Sequence, residues 1–189
     1  MKLILKIIGQ VIMLSIVLVF GIILIWEQLP GNRNICDAGS IYYVIAWFIF
    51  IITTIALLLN SWVFFNKQNW TKYRLIIITI CISLIFTSFS IRWLIFQVSY
   101  NQEKYSFEST ENSFQFIEIK LYENGKFYAQ TYDMSCQMEH IGTYTIQENE
   151  ITILFKNQKS KYIGTKYLMK NTTLVCLNNC NNTIEMNIK

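Results

Sequence analysis

Three long apolar runs open the chain, and alternating patterns fill the rest. The runs are Leu3–Trp26, Ile41–Phe65 and Leu75–Val98. The third reads LIIITICISLIFTSFSIRWLIFQV. Its length as a helix is about 36 Å at ~1.5 Å per residue, enough to cross a hydrocarbon core of ~30 Å. Each run is of transmembrane length. A cleaved signal peptide is the other reading of the first, with Lys2 and Lys6 as its basic start. The run is longer than a signal core, and no small-x-small site follows Trp26, so a retained helix is expected.

From Tyr100 onward the hydrophobic period falls to two. Phe114 and Phe116 alternate with polar neighbours; Ile117, Ile119 and Leu121 alternate in the opposite phase. The slip between Phe116 and Ile117 predicts a bulge. Asn124–Gly125 predicts a hairpin whose two turn residues both take positive φ. Further strands are predicted near Tyr100–Glu108, Lys126–Tyr132, His140–Gln147, Ile151–Phe155, Lys161–Lys170, Thr172–Leu177 and Thr183–Ile188. About eight short strands at close spacing predict an antiparallel meander that closes into a small barrel or flattened sandwich. The expected architecture is three transmembrane helices over 1–98 and an antiparallel β domain over 99–189.

Composition agrees: 53% of the 189 residues are hydrophobic, with one Pro and seven Gly. The net charge of +4 belongs to the segments that flank the helices. Residues 1–98 carry seven Lys and Arg against Glu27 and Asp37, whereas 99–189 carry nine Lys against ten acids. This is a topology signal, and it gives no reason to expect a DNA or RNA partner. Lys67, Lys72 and Arg74 mark the second loop as the inner one. The first loop, Glu27–Ser40, and the β domain then lie outside.

Some polar residues fall inside the apolar runs. Thr79, Ser83, Thr87 and Ser90 share one face of the third helix, and Ala46, Thr53 and Asn60 one face of the second. Such faces serve helix packing, with an oligomer seam or a pore lining as the alternatives. Arg92, beside Trp93, reads as a snorkelling helix-end charge, with a buried partner charge as the alternative.

Candidate chemistry is sparse. His140 is the sole histidine, and no phosphate-cradling glycine loop or metal-ligand spacing is present. No enzyme, cofactor or metal is expected. Glu148 and Glu150 bracket a turn, and Lys156, Lys159, Lys161 and Lys166 surround another at Asn157–Ser160, read as a solvated hairpin tip. The aromatics of the β domain, Phe127, Tyr144 and Tyr167 among them, either fill its core or line a pocket for one small ligand. Cys81 lies within the third helix. Cys36, Cys136, Cys176 and Cys180 fall on one side of the membrane if three helices cross it. A disulfide among Cys136, Cys176 and Cys180, or one that includes Cys36, requires an oxidising compartment; four free thiols are the alternative.

The order of parts, helices to Val98 followed by the hairpin LYENGKFYAQTY at Leu121–Tyr132, resembles a family of bacterial antiphage effectors. These have N-terminal membrane helices and a C-terminal eight-stranded β-barrel, and are signalled by cyclic oligonucleotides. The resemblance is one of architecture, and no site residue carries over. It implies a non-enzymatic effector in a bacterial inner membrane. The barrel would sense a small nucleotide or a like copy in the cytosol, and homo-oligomers would then disrupt the membrane or conduct ions. The hairpins with GTYTI-like sequence also look like small lipocalin-like modules on the outer face of a bacterial inner membrane. That implies an envelope binding module or immunity protein. A structural subunit of a larger membrane complex is the third expectation.

Overall fold

Isoleucine and leucine dominate the three apolar runs, and in lipid a backbone must satisfy its own polar groups, so these runs become helices. The computed structural model describes residues 2–36, 38–67, 71–109, 116–133, 136–157, 160–170, 173–178 and 186–188. Helix α1 spans Lys2–Gln28, α2 Ala38–Lys67 and α3 Thr71–Ser99. All three are long and apolar enough to cross a membrane. The chain divides into two units, Met1–Gln28 with Ser40–Arg92 and Leu29–Gly39 with Trp93–Lys189.

The helical unit buries Val17 and Leu24 of α1, Phe50 and Leu57 of α2, and Ile77 and Cys81 of α3. Close approach is possible at Gly21, where an added Cβ would lie 3.2–3.3 Å from Phe50 and Leu84. Polar contacts add to the packing. The buried Ser61 hydroxyl donates to Gln10 Oε1 at 2.9 Å, and Gln28 Nε2 donates to the Tyr43 hydroxyl at 2.7 Å. Both are the kind of contact that joins helices in lipid, where apolar burial alone offers no gain.

Among the described residues the second unit holds a sheet of nine strands. They are β1 (Asn34–Cys36), β2 (Glu103–Ser109), β3 (Phe116–Tyr122), β4 (Lys126–Asp133), β5 (Cys136–Gln147), β6 (Glu150–Phe155), β7 (Lys166–Lys170), β8 (Thr173–Asn178) and β9 (Met186–Ile188). Strands β2 to β9 each pair antiparallel with their sequence neighbours, β9 returns to β2, and the sheet curls into an eight-stranded barrel-like meander. The short β1 is a ninth strand, contributed by the first loop. Alternation places Phe107, Ile119, Leu121, Phe127, Ala129, Ile151 and Tyr167 on the inner face, each fully buried. The aromatics among them fill the core.

Several sequence expectations need correction. No register shift occurs at Phe116–Ile117: β3 pairs continuously with β4, and Phe116 points outward onto Tyr132, ring centroids 5.7 Å apart. The bulges lie instead at Glu103/Tyr105 and Lys166/Tyr167. At the β3–β4 turn only Gly125 takes positive φ, +74°. Its amide donates to Tyr122 O at 3.0 Å, and Asn124 Oδ1 accepts from Lys126 N at 3.2 Å. Asparagine acts there through its side chain, and glycine through its backbone. β7 begins at Lys166, because Ser160 caps the preceding bend by accepting from Tyr162 N and Ile163 N at 3.0 and 3.2 Å. The segment 183–185 of the last predicted strand, and Phe114, lie outside the described residues.

Candidate functional site

The long strand β5 carries the most connected region of the β unit. On one edge it pairs with β4 along Cys136–Thr143. Its other edge is shared: Cys136–Met138 pair with β1, and Gly142–Gln147 with β6. The changeover is tight. A Cβ on Gly142 would sit 2.0 Å from Leu154 O and 2.7 Å from the Phe127 ring.

The first loop is shaped to fit this junction. Pro30 and Gly31 form a turn closed by Asn32 N donating to Leu29 O at 3.1 Å. Gly31 has φ +84°, as the third position of a type II turn requires. Its missing side chain lets Ile141 approach, since a Cβ would meet Ile141 Cγ1 at 2.7 Å. Gly31 N donates to Glu139 Oε2 at 3.2 Å, and Glu139 N donates to Arg33 O at 3.2 Å.

Asn157 binds the pieces together. Its Nδ2 donates to Gly31 O at 2.8 Å and to Glu139 O at 2.9 Å, and its Oδ1 accepts from Ile141 N at 3.1 Å. The predicted solvated tip at Asn157–Ser160 is therefore corrected: Asn157 is half-buried and Ser160 buried, because both satisfy backbone groups. Lys159 lies outside the described residues; Lys156, Lys161 and Lys166 are exposed.

The covalent tie is Cys36–Cys136, register partners on β1 and β5 with Cα atoms 4.0 Å apart. Cys176 is also disulfide-bonded, Cys81 is free and buried, and Cys180 lies outside the described residues. The sequence points to a disulfide among Cys136, Cys176 and Cys180, or one that includes Cys36, and does not single out Cys36–Cys136. The three-residue strand that aligns them is too short to register as a pattern.

Beside the docked loop lies a cleft of about 750 Å³. Leu29, Pro30 and Asn32 form one wall, Ile95, Ser99 and Tyr100 another, and residues of β4, β5 and β6 the floor. An aromatic group backs it. Tyr100 stands 5.0 Å from Tyr122, and Phe96 5.0 Å edge-on to Tyr128. Burial first, then the Glu139 charge, raises the Tyr100 phenol above its ordinary range. Burial, with Glu103 and Glu118, does the same for Tyr122. Both therefore stay neutral hydrogen-bonding groups. Sequence reading missed this cleft, because its walls come from segments far apart in the chain.

The other candidate residues fall elsewhere. His140 is an inward core residue, its ring edge-on to Phe155 at 5.9 Å. Glu148 and Glu150 are exposed at the β5–β6 turn. On α3, Thr79 and Ser83 are exposed and Thr87 and Ser90 half-buried, while Ile77, Cys81 and Ser88 take the buried positions. Thr79 donates to Leu75 O within its own helix at 2.9 Å. Within the helical unit, packing thus uses a face about two residues out of phase with the predicted polar line. Asn60 is exposed and Arg92 half-buried. Among the described residues no group of three His, Cys, Asp or Glu could hold a metal ion.

These features define a class: a protein with three membrane-length helices and an antiparallel barrel-like β unit into which the loop between α1 and α2 is stitched. No family model matches the chain, and neither a curated protein nor a solved structure matches it.

Proposed function

We propose that this is a non-enzymatic binding module anchored in a bacterial inner membrane, with its β unit on the outer, oxidising side. The observation that carries the reading is the Cys36–Cys136 disulfide. Two candidate spans, α2 and α3, separate these cysteines, so an even number of crossings returns the chain to the side of the first loop. A disulfide persists on the oxidising side and is rare in the cytosol. The charge distribution supports the same side. The packed barrel interior favours ligand or protein binding on the outer surface, as in an envelope sensor or an immunity protein that masks a toxin.

A second reading, the oligomerising effector, draws support from Thr79 and Ser83, which are exposed where another copy can reach them. In its nucleotide-sensing form it requires a cytosolic barrel.

One experiment separates the two. Asn149, exposed in the β5–β6 turn, is replaced by cysteine in the full-length chain, with the unsubstituted protein as background. Labelling by a membrane-impermeant maleimide is compared in intact and opened spheroplasts. The envelope reading expects labelling in intact spheroplasts, with Cys36 and Cys136 unreactive until reduced. Labelling only after opening, with both thiols free, would overturn it in favour of the effector.

A further inference from the structure

We propose that the cleft beside the docked loop binds the phosphate headgroup of an anionic membrane phospholipid, held by Lys126 and Lys156. Both lysines line it, one from the start of β4 and one just after β6. Among the described residues no carboxylate lines it. Among the described residues neither lysine has an acid within ion-pair distance, whereas Lys120 is held by Glu118 at 2.9 Å. Glu139, whose charge reaches Tyr100, is itself 3% exposed and lies outside the lining. Among the described residues the cleft therefore presents two cations with no carboxylate partner, Lys126 resting over the Tyr100 ring with its Nζ 5.7 Å from the ring centroid.

Its remaining surface is suited to an amphiphile. Ile95, Ile141 and Leu154 supply apolar wall, and Leu154 is 70% exposed. Ser99 and Thr143 bring hydroxyls. Ile95 and Ser99 belong to the last turns of a candidate membrane span, and Leu29 follows directly on the end of another. The end of α3 and the residue that follows α1 thus border the cleft, and the ends of spanning helices are where lipid headgroups lie. A soluble phosphate ester would use the lysines and leave the apolar wall wet; a lipid uses both. Lysine ammonium groups bind phosphate as point charges and draw anionic lipid to a surface.

The inference rests on the β unit being a binding module but not on which side it lies, since either leaflet presents headgroups at that depth. Its test is therefore made in detergent. Full-length protein is released from mixed micelles holding phosphatidylglycerol and phosphatidylcholine in equal amounts, and retained lipid is counted by native mass spectrometry. The wild type should keep one phosphatidylglycerol with at least about tenfold preference, and each lysine lost should weaken retention about fivefold. K126Q/K156Q should lose the preference, K126R/K156R should keep it, and K161Q/K166Q, altered at exposed lysines outside the lining, should match wild type. An intact Cys36–Cys136 bond on a non-reducing gel reports that each variant is folded. Millimolar glycerol phosphate should not displace the lipid. Equal retention of both lipids by the wild type, preference surviving in K126Q/K156Q, equal loss in K161Q/K166Q, or displacement by glycerol phosphate would each overturn the proposal.

Discussion

Tyr167 shows how much a single side chain holds in this β unit. It is fully buried, and its hydroxyl accepts the Gly164 amide at 2.7 Å. Tyr167→Phe keeps the ring and leaves that buried N–H without its acceptor, so it should cost about 1–3 kcal/mol in denaturant unfolding. Burial raises the phenol well above its ordinary value of 10.0, with the Gly164 hydrogen bond opposing in part. A raised folded value means that the neutral form is favoured in the fold. That contribution is fully present below pH ~10 and is lost as pH rises toward the folded value. Tyr100, Tyr122 and Tyr144 shift in the same direction. Alkaline titration should therefore unfold the β unit together with the rise of tyrosinate absorbance, and not after it.

Gly142 is the other decisive position. Gly142→Ala forces a methyl group into Leu154 O, and should cost about 3 kcal/mol or more because backbone cannot yield as a side chain does. A thermal shift of the purified protein checks this. Glu148 offers the opposite sign. It is a non-glycine residue at φ +54° on an exposed turn. Glu148→Gly should raise stability by about 0.5–1 kcal/mol, read from the same melting curve.

At the scale of elements, the docking of the first loop rests on few contacts. Asn157→Ala removes two donated and one accepted hydrogen bond at once. It should speed amide exchange at Gly31 and Glu139 while leaving β3 and β4 protected, because their ladder does not involve the loop. Helices α1 to α3, and most strands, are legible in the sequence because period and length are long-range statistics over many residues. The strand Asn34–Cys36 is not: three residues cannot show a period, and their place is set by partners on β5 about a hundred positions away. Asn124–Gly125 was readable as a turn, but its conformation depended on the Asn124 side chain bonding locally. The cleft was illegible for a related reason. One of its lysines begins β4 and the other follows β6, and hairpin pairing alone says nothing of how Leu29 and Ile95 come to flank them.

Across the whole molecule, the Cys36–Cys136 bond closes a loop with a sequence separation of 100. A free chain closed over that length would gain about 4–5 kcal/mol. If α2 and α3, each long and apolar enough to span a membrane, keep their helical form when the β unit unfolds, the loop that gains freedom is shorter. Loss of this bond alone should then cost about 3 kcal/mol, read as a lower unfolding midpoint of the β unit with the helices unchanged. Cys36→Ser isolates this bond, because reductant also opens the disulfide at Cys176 and should therefore cost at least as much.

The separation of those two cysteines also sets an order in time. Cys36 is synthesised 100 residues before Cys136. At ~5–20 residues per second it waits about 5–20 s for its partner to emerge. Throughout that interval β1 has no strand to join, and α2 and α3 are still being made. The bond is consequently among the last events of assembly. On the proposed outer-side placement, a cell short of thiol-oxidising capacity should accumulate chains whose Cys36 and Cys136 are unpaired and whose β1 is held by hydrogen bonds alone.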